Sequence, residues 1–286
     1  KMILCIVGPT AVGKTKLSIE LAKKYNAIII NVDAMQVYKD MNIGTAKVTT
    51  EEMAGIKHYL LDFVPVNTNY TVFDYQRDAR KVIAENKDRN IIFVGGTGLY
   101  LKAALYNYKF SLEENTTNTY DDLSNEELKC LCLKKDNTCD IHVNNRKRLI
   151  RFLNRDDCDK EECRPLYDFI TIGLTTDRKN LYDKIDKRVD IMIENGLVGE
   201  AKKFYDDGIF SKALTTAIGY KELYEYFKGN ISLEDAVSLI KKNSRHYAKR
   251  QYTWFNNQMN VTWFDTDYNN FNNTCLEVEK FIEENK

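Results

Sequence analysis

The chain contains 286 residues, with 42 Lys or Arg balanced by 42 Asp or Glu, so its formal net charge at pH 7 is zero. This balance excludes a uniformly basic protein that binds nucleic acid by charge alone, whereas a basic stripe on one face stays compatible with it. Because no run of about 18 apolar residues occurs, we expect no membrane-spanning helix. The seven cysteines indicate free thiols, and an N-terminal strand stands where a signal peptide would lie, so a cytoplasmic protein is expected.

The first predicted element is an apolar strand at residues 2–7, followed by a Gly-rich loop and a helix at 16–25. The loop has the spacing G-x-x-x-x-G-K-T and consists of Gly8, Pro9, Thr10, Ala11, Val12, Gly13, Lys14 and Thr15. Such a loop turns its backbone N–H groups inward to hold phosphate oxygens, which the Lys14 ammonium contacts. The Thr15 hydroxyl stands where these loops ligate Mg²⁺, the expected cofactor. The motif predicts binding of ATP or another diphosphate-bearing ligand, but not the reaction.

Four more short apolar runs alternate with helical segments, at residues 27–33, 58–63, 90–96 and 169–174. Near-continuous runs of this kind, rich in β-branched residues, are typical of a parallel sheet that helices cover on both faces. We therefore predict an α/β fold with a P-loop NTPase-like core. Ligands of such sheets bind beyond the carboxyl ends of the strands, where Gly8, Asp33 and Gly95 are all expected.

Most of the remaining chain is predicted to be helical. Residues 111–141 are polar and contain one helix at 124–135, with Ser124 as its N-cap and Glu127 completing a capping box. We interpret them as a helical insertion in a core formed by residues 1–110 and 142–286. Further helices are predicted at 177–195, 199–207, 217–227, 232–255 and near 274–284.

Asp33 ends the second predicted strand and should project into the crevice beside the phosphate loop. A carboxylate there can remove a proton from an incoming nucleophile. Alternatively, the Asp33 carboxylate contacts Mg²⁺ through a bound water or caps a helix. The run at 90–96 ends in small residues, without the carboxylate with which many nucleotide hydrolases hold Mg²⁺ and water. Small residues permit the approach of a bulky group, which weakens the hydrolase interpretation.

Two basic runs fall on predicted helices. One contains Arg146, Lys147, Arg148, Arg151 and Arg155, and the other contains Lys241, Lys242, Arg245, His246, Lys249 and Arg250, followed by Gln251, Tyr252, Trp254 and Phe255. Cations neutralise nucleic-acid phosphates and aromatic rings stack on bases, so the two runs together favour a nucleic-acid partner. A solvated charged face is the alternative for either run alone. By its pattern Arg188, on the helix predicted at 177–195, would be a surface residue.

Seven blocks in a fixed order make the chain resemble, from end to end, the bacterial tRNA dimethylallyltransferases, also called tRNA isopentenyltransferases or IPP transferases. The blocks are residues 8–15, 32–38 with 41–47, 58–62, 94–100, 148–151, 217–222 and 249–255. The resemblance implies transfer of a dimethylallyl group from dimethylallyl diphosphate to the N6 amine of the adenosine on the 3′ side of the tRNA anticodon. Nothing in the sequence requires an oligomer, so a monomer is expected.

The resemblance also implies roles for individual residues. Asp33 resembles the family's general base. Thr10 and Arg188 resemble the two other residues of its catalytic group. Thr10, Lys14, Thr15 and Arg188 resemble diphosphate contacts, with Thr15 also on Mg²⁺. The residues implied to contact the tRNA anticodon stem-loop, besides the insertion at 111–141, are Asp33, Ala34, Met35, Gln36, Thr97, Lys147, Arg148, Leu149, Ile150 and Arg151.

The chain departs from the family's pattern at Ala34, where Ser is usual, and at Val143, Asn145 and Thr216. These departures bear on affinity for tRNA more than on the chemistry. Two other enzymes remain as alternatives: a small-molecule kinase of the phosphate-loop class, and a dimethylallyltransferase that acts on free AMP or ATP. The basic and aromatic run at 241–255 favours tRNA over both. A non-catalytic RNA-binding protein is disfavoured because Lys14 and Asp33 are both present.

Overall fold

A parallel sheet with the strand order β3-β2-β4-β1-β5-β6 forms the centre of the protein. The computed structural model describes residues 1–110, 120, 122–153 and 163–286. Within them the strands are β1 (Ile3–Val7), β2 (Ala27–Asn31), β3 (His58–Tyr59), β4 (Asn90–Val94), β5 (Ile170–Thr175) and β6 (Thr262–Asp265). The predicted α/β class and parallel sheet are confirmed.

Eleven helices lie in the described residues. They are α1 (Lys14–Tyr25), α2 (Val72–Glu85), α3 (Gly98–Leu105), α4 (Asn125–Lys135), α5 (Arg146–Leu153), α6 (Arg178–Glu194), α7 (Leu197–Asp206), α8 (Lys212–Thr216), α9 (Tyr220–Phe227), α10 (Leu233–Gln258) and α11 (Phe271–Asn285). In this part of the chain no helix is both long and apolar enough to cross a membrane.

The register of the sheet brings the loops that follow β1, β2 and β4 together. Ile6 of β1 is paired with Val94 of β4 on one side and with Ile172 of β5 on the other. On the far side of β4, Asn31 of β2 is paired with Val94. Since all these strands run in one direction, the phosphate loop, Asp33 and the loop after β4 leave the sheet at the same edge.

Apolar side chains cover the sheet on both faces, as the near-continuous apolar strands predict. One face packs on α2 and α3 through residues such as Tyr75 and Leu101. The other packs on α1, α6 and α11 through residues such as Leu17, Ile185 and Val278. The two clusters fix the strand ends from both sides, and the loops of the site are therefore held on a rigid base.

Residues Tyr108–Arg164 form a smaller compact unit, and Lys1–Asn107 with Pro165–Lys286 form the larger one. In the smaller unit α4 packs on α5, with Leu128, Cys132, Cys139 and Leu149 buried between them. The predicted capping box is present, with the Ser124 hydroxyl bonded to the Glu127 N–H at 3.2 Å and the Glu127 carboxylate to the Ser124 N–H at 2.7 Å. The smaller unit thus extends beyond the predicted insertion at 111–141 and includes α5, because α5 supplies half of this core.

Two strand predictions differ from the structure. The apolar run at 58–63 forms only the two-residue strand β3, because the backbone at Leu60 and Asp62 has φ values of 57° and 54°, outside the extended region. Strand β6 was not predicted, since it is short and its residues are at most half-buried. The remaining predicted strands, and the predicted helices of the described residues, occur with their ends shifted by a few residues.

Candidate active site at the carboxyl ends of the strands

The phosphate loop is held open for an anion by two glycines. Gly8 has φ = 135°, and a Cβ there would lie 2.5 Å from the Leu174 carbonyl oxygen. Gly13 has φ = 94° and caps α1, at whose start no side chain of the described residues makes a capping hydrogen bond. The Leu17 N–H is bonded to the Gly13 carbonyl at 3.0 Å. The N–H groups of the first turn therefore come before the first helical hydrogen bond and can point at a ligand. Such amides, with the helix dipole behind them, form an anion site.

Residues near the C-terminus support this loop. The Thr266 hydroxyl donates to the Val12 carbonyl at 2.8 Å, and the Tyr268 hydroxyl donates to the Ala11 carbonyl at 2.9 Å. Ala11 has φ = 67°, which costs energy for a residue with a Cβ. The two bonds hold this conformation, so the loop is organised before a ligand arrives.

Lys14 lies under the loop, with its ammonium donating to the Pro9 carbonyl at 2.5 Å. Removal from water, and next to it the charge of Arg188, lower the pKa of Lys14 to about 7, whereas Asp33 acts in the opposite direction. A cation that is destabilised in this way gains from an anionic ligand. The geometry therefore suits a phosphate group over Lys14.

Arg188 extends from α6 into the same crevice. It is half-buried, and desolvation lowers its pKa while the carboxylates of Asp33 and Glu52 oppose that shift. Arg188 is therefore not the surface residue that its pattern indicated. Two cations, Lys14 and Arg188, thus share one region with Asp33.

Asp33 follows β2 and is oriented by the backbone. Its Oδ1 accepts the N–H groups of Met35 at 2.8 Å and Gln36 at 3.2 Å. The buried Asn31 amide donates to the carbonyls of Asp33 at 3.1 Å and Leu60 at 2.9 Å. Both of these bonds engage Oδ1. Among the described residues no hydrogen bond engages Oδ2, which can therefore meet a ligand. The helix-capping alternative is not supported, as the bonded amides belong to a turn.

The loop after Asp33 is braced by Gln36, which the resemblance implies as a tRNA contact, and by Glu200, which the sequence did not indicate. The Gln36 amide donates to the carbonyls of Thr45 at 2.9 Å and Ala46 at 3.3 Å. The Glu200 carboxylate accepts the N–H groups of Ile43 at 2.9 Å and Gly44 at 3.2 Å. These bonds give the half-buried residues Ala34, Met35 and Gln36 a defined position, although only the folded chain brings Glu200 to them.

The loop after β4 closes the crevice opposite Asp33. The Ala34 N–H donates to the Thr97 hydroxyl at 3.0 Å. A Cβ on Gly95 would lie 2.2 Å from the Val32 carbonyl oxygen, so glycine allows the two loops to touch. Thr97 therefore lies beside the loop of Asp33.

The residues present fit Mg²⁺, which the Thr15 hydroxyl would ligate. Thr15 is exposed at the start of α1, next to the anion-binding amides. The described part of the chain contains no cluster of three His, Cys, Asp or Glu that could hold a metal by itself. Mg²⁺ usually keeps several waters and takes its other ligands from substrate phosphates, and one hydroxyl beside a diphosphate meets that requirement.

The residues predicted on α5 divide into two groups. Lys147, Arg148 and Arg151 are exposed, whereas Leu149 is fully buried and Ile150 is half-buried. Leu149 is thus a core residue of the smaller unit that holds α5 in place. Arg155 lies outside the described residues.

Comparison with known proteins decides the family. The model of the IPP transferase family matches residues 36–258. The chain belongs to the IPP transferase family. A tRNA dimethylallyltransferase of Bacillus anthracis is 46% identical over an alignment that covers 92% of this chain and 90% of that relative. A relative of the same name from Bacillus cereus strain AH187 is 46% identical over 92% of the chain and 89% of its own length.

Solved structures of family members share the fold. A tRNA isopentenylpyrophosphate transferase from Staphylococcus epidermidis has a TM-score of 0.77 at 40% identity, with 100% of both chains covered. One from Bacillus halodurans has a TM-score of 0.77 at 42% identity, covering 99% of this chain and 96% of its own. A eukaryotic dimethylallyltransferase described as acting on tRNA has a TM-score of 0.80 at 26% identity, covering 100% of this chain and 80% of its own. The predicted family and enzyme class are confirmed.

Proposed function

We propose that this IPP transferase moves a dimethylallyl group from dimethylallyl diphosphate to the N6 amine of the adenosine that follows the anticodon in tRNA. The observation that carries the proposal is the convergence of Lys14, Arg188 and Asp33. Each of the two cations interacts electrostatically with the Asp33 carboxylate. A site for a departing anion therefore adjoins a group that can accept a proton.

The diphosphate is held by the loop amides, Thr10, Lys14 and Arg188. An adenine amine is a weak nucleophile, so cleavage of the allylic C–O bond must run ahead of attack, with the electron pair leaving on the diphosphate. Preorganised N–H groups and cations stabilise that developing charge without reorganising. Thr15 would hold Mg²⁺, which would supply further positive charge against the diphosphate.

Asp33 completes the reaction. The N6 lone pair forms the new bond to the allylic carbon, and the proton of N6 passes to Oδ2 of Asp33. The Oδ1 bonds to Met35 and Gln36 hold the carboxylate in one orientation during this transfer. Gly95 and Gly96 let the loop after β4 pack directly against Val32 and Gln251 beside this carboxylate.

The tRNA is proposed to reach the protein through its basic surfaces. Lys249 and Arg250 are exposed on α10, and Lys147, Arg148 and Arg151 are exposed on α5. An adenosine in an anticodon loop must swing out of its stack to enter a crevice, which costs less in a loop than in a duplex. A cytoplasmic location, where tRNA acceptors occur, and a monomeric state are part of the proposal, since all proposed groups belong to one chain.

The experiment is a transfer assay with dimethylallyl diphosphate, Mg²⁺ and an unmodified anticodon stem-loop, followed by mass analysis of the RNA. A five-carbon addition at the adenosine is expected. Parallel tubes contain AMP or ATP in place of RNA, and ATP with small hydroxyl acceptors. Prenylation of free nucleotide alone, or phosphoryl transfer without prenylation, would replace the proposal by one of the two alternatives.

A further inference from the structure

One face of α10 lies against the loop that follows β4. Its residues Tyr247, Gln251 and Trp254 are spaced four and three apart, which places them on one side of a helix. The Gln251 amide donates to the Gly96 carbonyl at 3.1 Å, and a Cβ on Gly98 would lie 2.0 Å from the Trp254 ring. Tyr247 is one turn nearer the helix start and is therefore directed at the same crevice.

The Tyr247 hydroxyl interacts with three groups of the site. Desolvation, and after it the Asp33 charge, raise its pKa to about 12, whereas the neighbouring Thr97 and Gln251 side chains lower it. The phenol thus stays protonated at neutral pH. Tyr247 is therefore close to both the loop of Asp33 and the loop of Thr97. The proposed acceptor must lie between these two loops.

The donors and acceptors of the neighbouring side chains leave the Tyr247 proton available for a further partner. The Thr97 oxygen already accepts the Ala34 N–H, so its own hydrogen is free to be donated. The Gln251 nitrogen carries two hydrogens, of which the Gly96 carbonyl takes one. Both neighbours can therefore donate to the Tyr247 oxygen, in agreement with their effect on its pKa. The O–H of Tyr247 is then left as a donor for a ligand in the crevice.

An adenine presents two complementary groups side by side on its Watson–Crick edge: ring nitrogen N1 accepts a hydrogen bond, and the N6 amine donates one. A donor next to an acceptor matches this edge. We propose that Tyr247 is a specificity-determining residue whose hydroxyl donates to N1 of the target adenine while Asp33 accepts from N6. The inference rests on the proposed function and adds how the base is recognised and oriented.

The same pair disfavours guanine. Guanine carries a hydrogen on N1 and an oxygen at position 6, so it would set a donor against the Tyr247 O–H and an acceptor against the Asp33 carboxylate. Sites with buried polar groups reject a ligand that leaves those groups unpaired far more strongly than an apolar pocket rejects it. Asp33 alone would supply only half of this discrimination.

The test combines Tyr247→Phe with a stem-loop that carries 1-deazaadenosine, in which a C–H replaces N1, at the target position. kcat/KM is measured for both proteins on both RNAs, which forms a cycle of four rates. Each single change is expected to lower kcat/KM by about 5- to 100-fold, the loss for one unpaired hydrogen-bond partner. The double change is expected to lower it no further than the larger single loss. The cycle also removes any intrinsic difference in amine reactivity between the two bases.

Losses that multiply, or an unchanged kcat/KM of Tyr247→Phe on adenosine, would overturn the proposal. The matched control is Tyr224→Phe, which also removes a hydroxyl with a pKa raised to about 12, but one that donates to the Ile209 carbonyl away from the site. Its ratio of rates on the two RNAs should equal that of the unaltered protein. Should Tyr247→Phe melt below the assay temperature, Tyr247→Leu supplies the same cycle. Absence of transfer by the unaltered protein would instead refute the proposed function.

Discussion

The Thr97 hydroxyl accepts the backbone N–H of Ala34 at 3.0 Å, which ties the loop after β4 to the loop after β2. Ala34 directly follows Asp33, so this bond fixes the backbone next to the proposed base. The two loops come from neighbouring strands and meet only because β2 and β4 are paired.

Replacing Thr97 by Val removes this acceptor with little change of shape. The Ala34 N–H is left without its partner, so we expect a loss of about 1 kcal/mol in the free energy of unfolding, the low end for a half-buried amide. kcat/KM should fall as well, because the Asp33 loop loses its anchor. Urea unfolding and transfer kinetics measure the two effects. Thr97→Ser retains the hydroxyl and should restore both, and failure to do so would show that the methyl group matters instead.

Asp33→Asn tests the base without removing the turn. The amide oxygen can still accept the N–H groups of Met35 and Gln36, so the loop should keep its conformation. The neutral amide cannot take a proton, and turnover is expected to fall by about 10²- to 10⁴-fold. Stem-loop affinity, measured by fluorescence anisotropy, should stay within a few-fold of the original. Full turnover by the variant would remove Asp33 from this role.

Lys14 predicts a pH dependence of anion binding. Its pKa is lowered to about 7, so the ammonium loses its proton as the pH rises through 7, and the affinity for diphosphate should fall. Bound diphosphate favours the charged form, and binding at pH 8 should therefore take up protons. Calorimetric titration with inorganic diphosphate in buffers of different ionisation enthalpy measures that uptake. Lys14→Met should abolish the uptake, and an uptake that persists in this variant would assign it to another group.

The exposed residues Lys249 and Arg250 are expected to contact RNA phosphates. Changing both to Ala should weaken stem-loop binding and flatten the slope of log K against log salt by about 1.4 to 1.8, since each phosphate contact contributes roughly 0.7 to 0.9. Lys87 and Arg89 form the control. They are exposed just before β4, at the amino ends of the strands, whereas the site lies at the carboxyl ends. Equal slopes for the two double variants would show that Lys249 and Arg250 belong to a solvated face.

Gly96→Ala should damage the packing of α10 on the site. The added Cβ would lie 2.0 Å from the Gln251 nitrogen, so the bond to the Gly96 carbonyl must break or shift. A destabilisation of about 1–3 kcal/mol is expected. Gly199→Ala is the control, because it lies in α7 with no atom within 4 Å of an added Cβ. That change should stabilise the protein by about 0.5–1 kcal/mol, as for Gly to Ala in a helix.

The sequence predicted those parts of the site that depend on local pattern and strand order. The phosphate loop is one continuous segment, and the position of Asp33 follows from its place at a strand end. A general rule for parallel sheets then brings the two together. The structure confirms the sheet, and Lys14 lies near Asp33 in it.

The remaining parts depend on contacts that no local pattern records. Arg188 lies among charged residues on α6, and only packing of that helix turns it inward. The charges on α10 indicated nucleic acid, whereas the residues that touch the site are the uncharged Tyr247 and Gln251. A helical spacing of i, i+4 in this segment could have marked them, but the choice of the inward face requires the tertiary fold.

The bonds from Thr266 and Tyr268 to the Val12 and Ala11 carbonyls have a consequence for biosynthesis. A ribosome makes residues 8–15 first, yet the groups that steady this segment emerge more than 250 positions later. A nascent or truncated polypeptide that lacks them has an unbraced phosphate loop and should not retain diphosphate. Competence for the donor therefore arrives only after residues 266–268 have been translated.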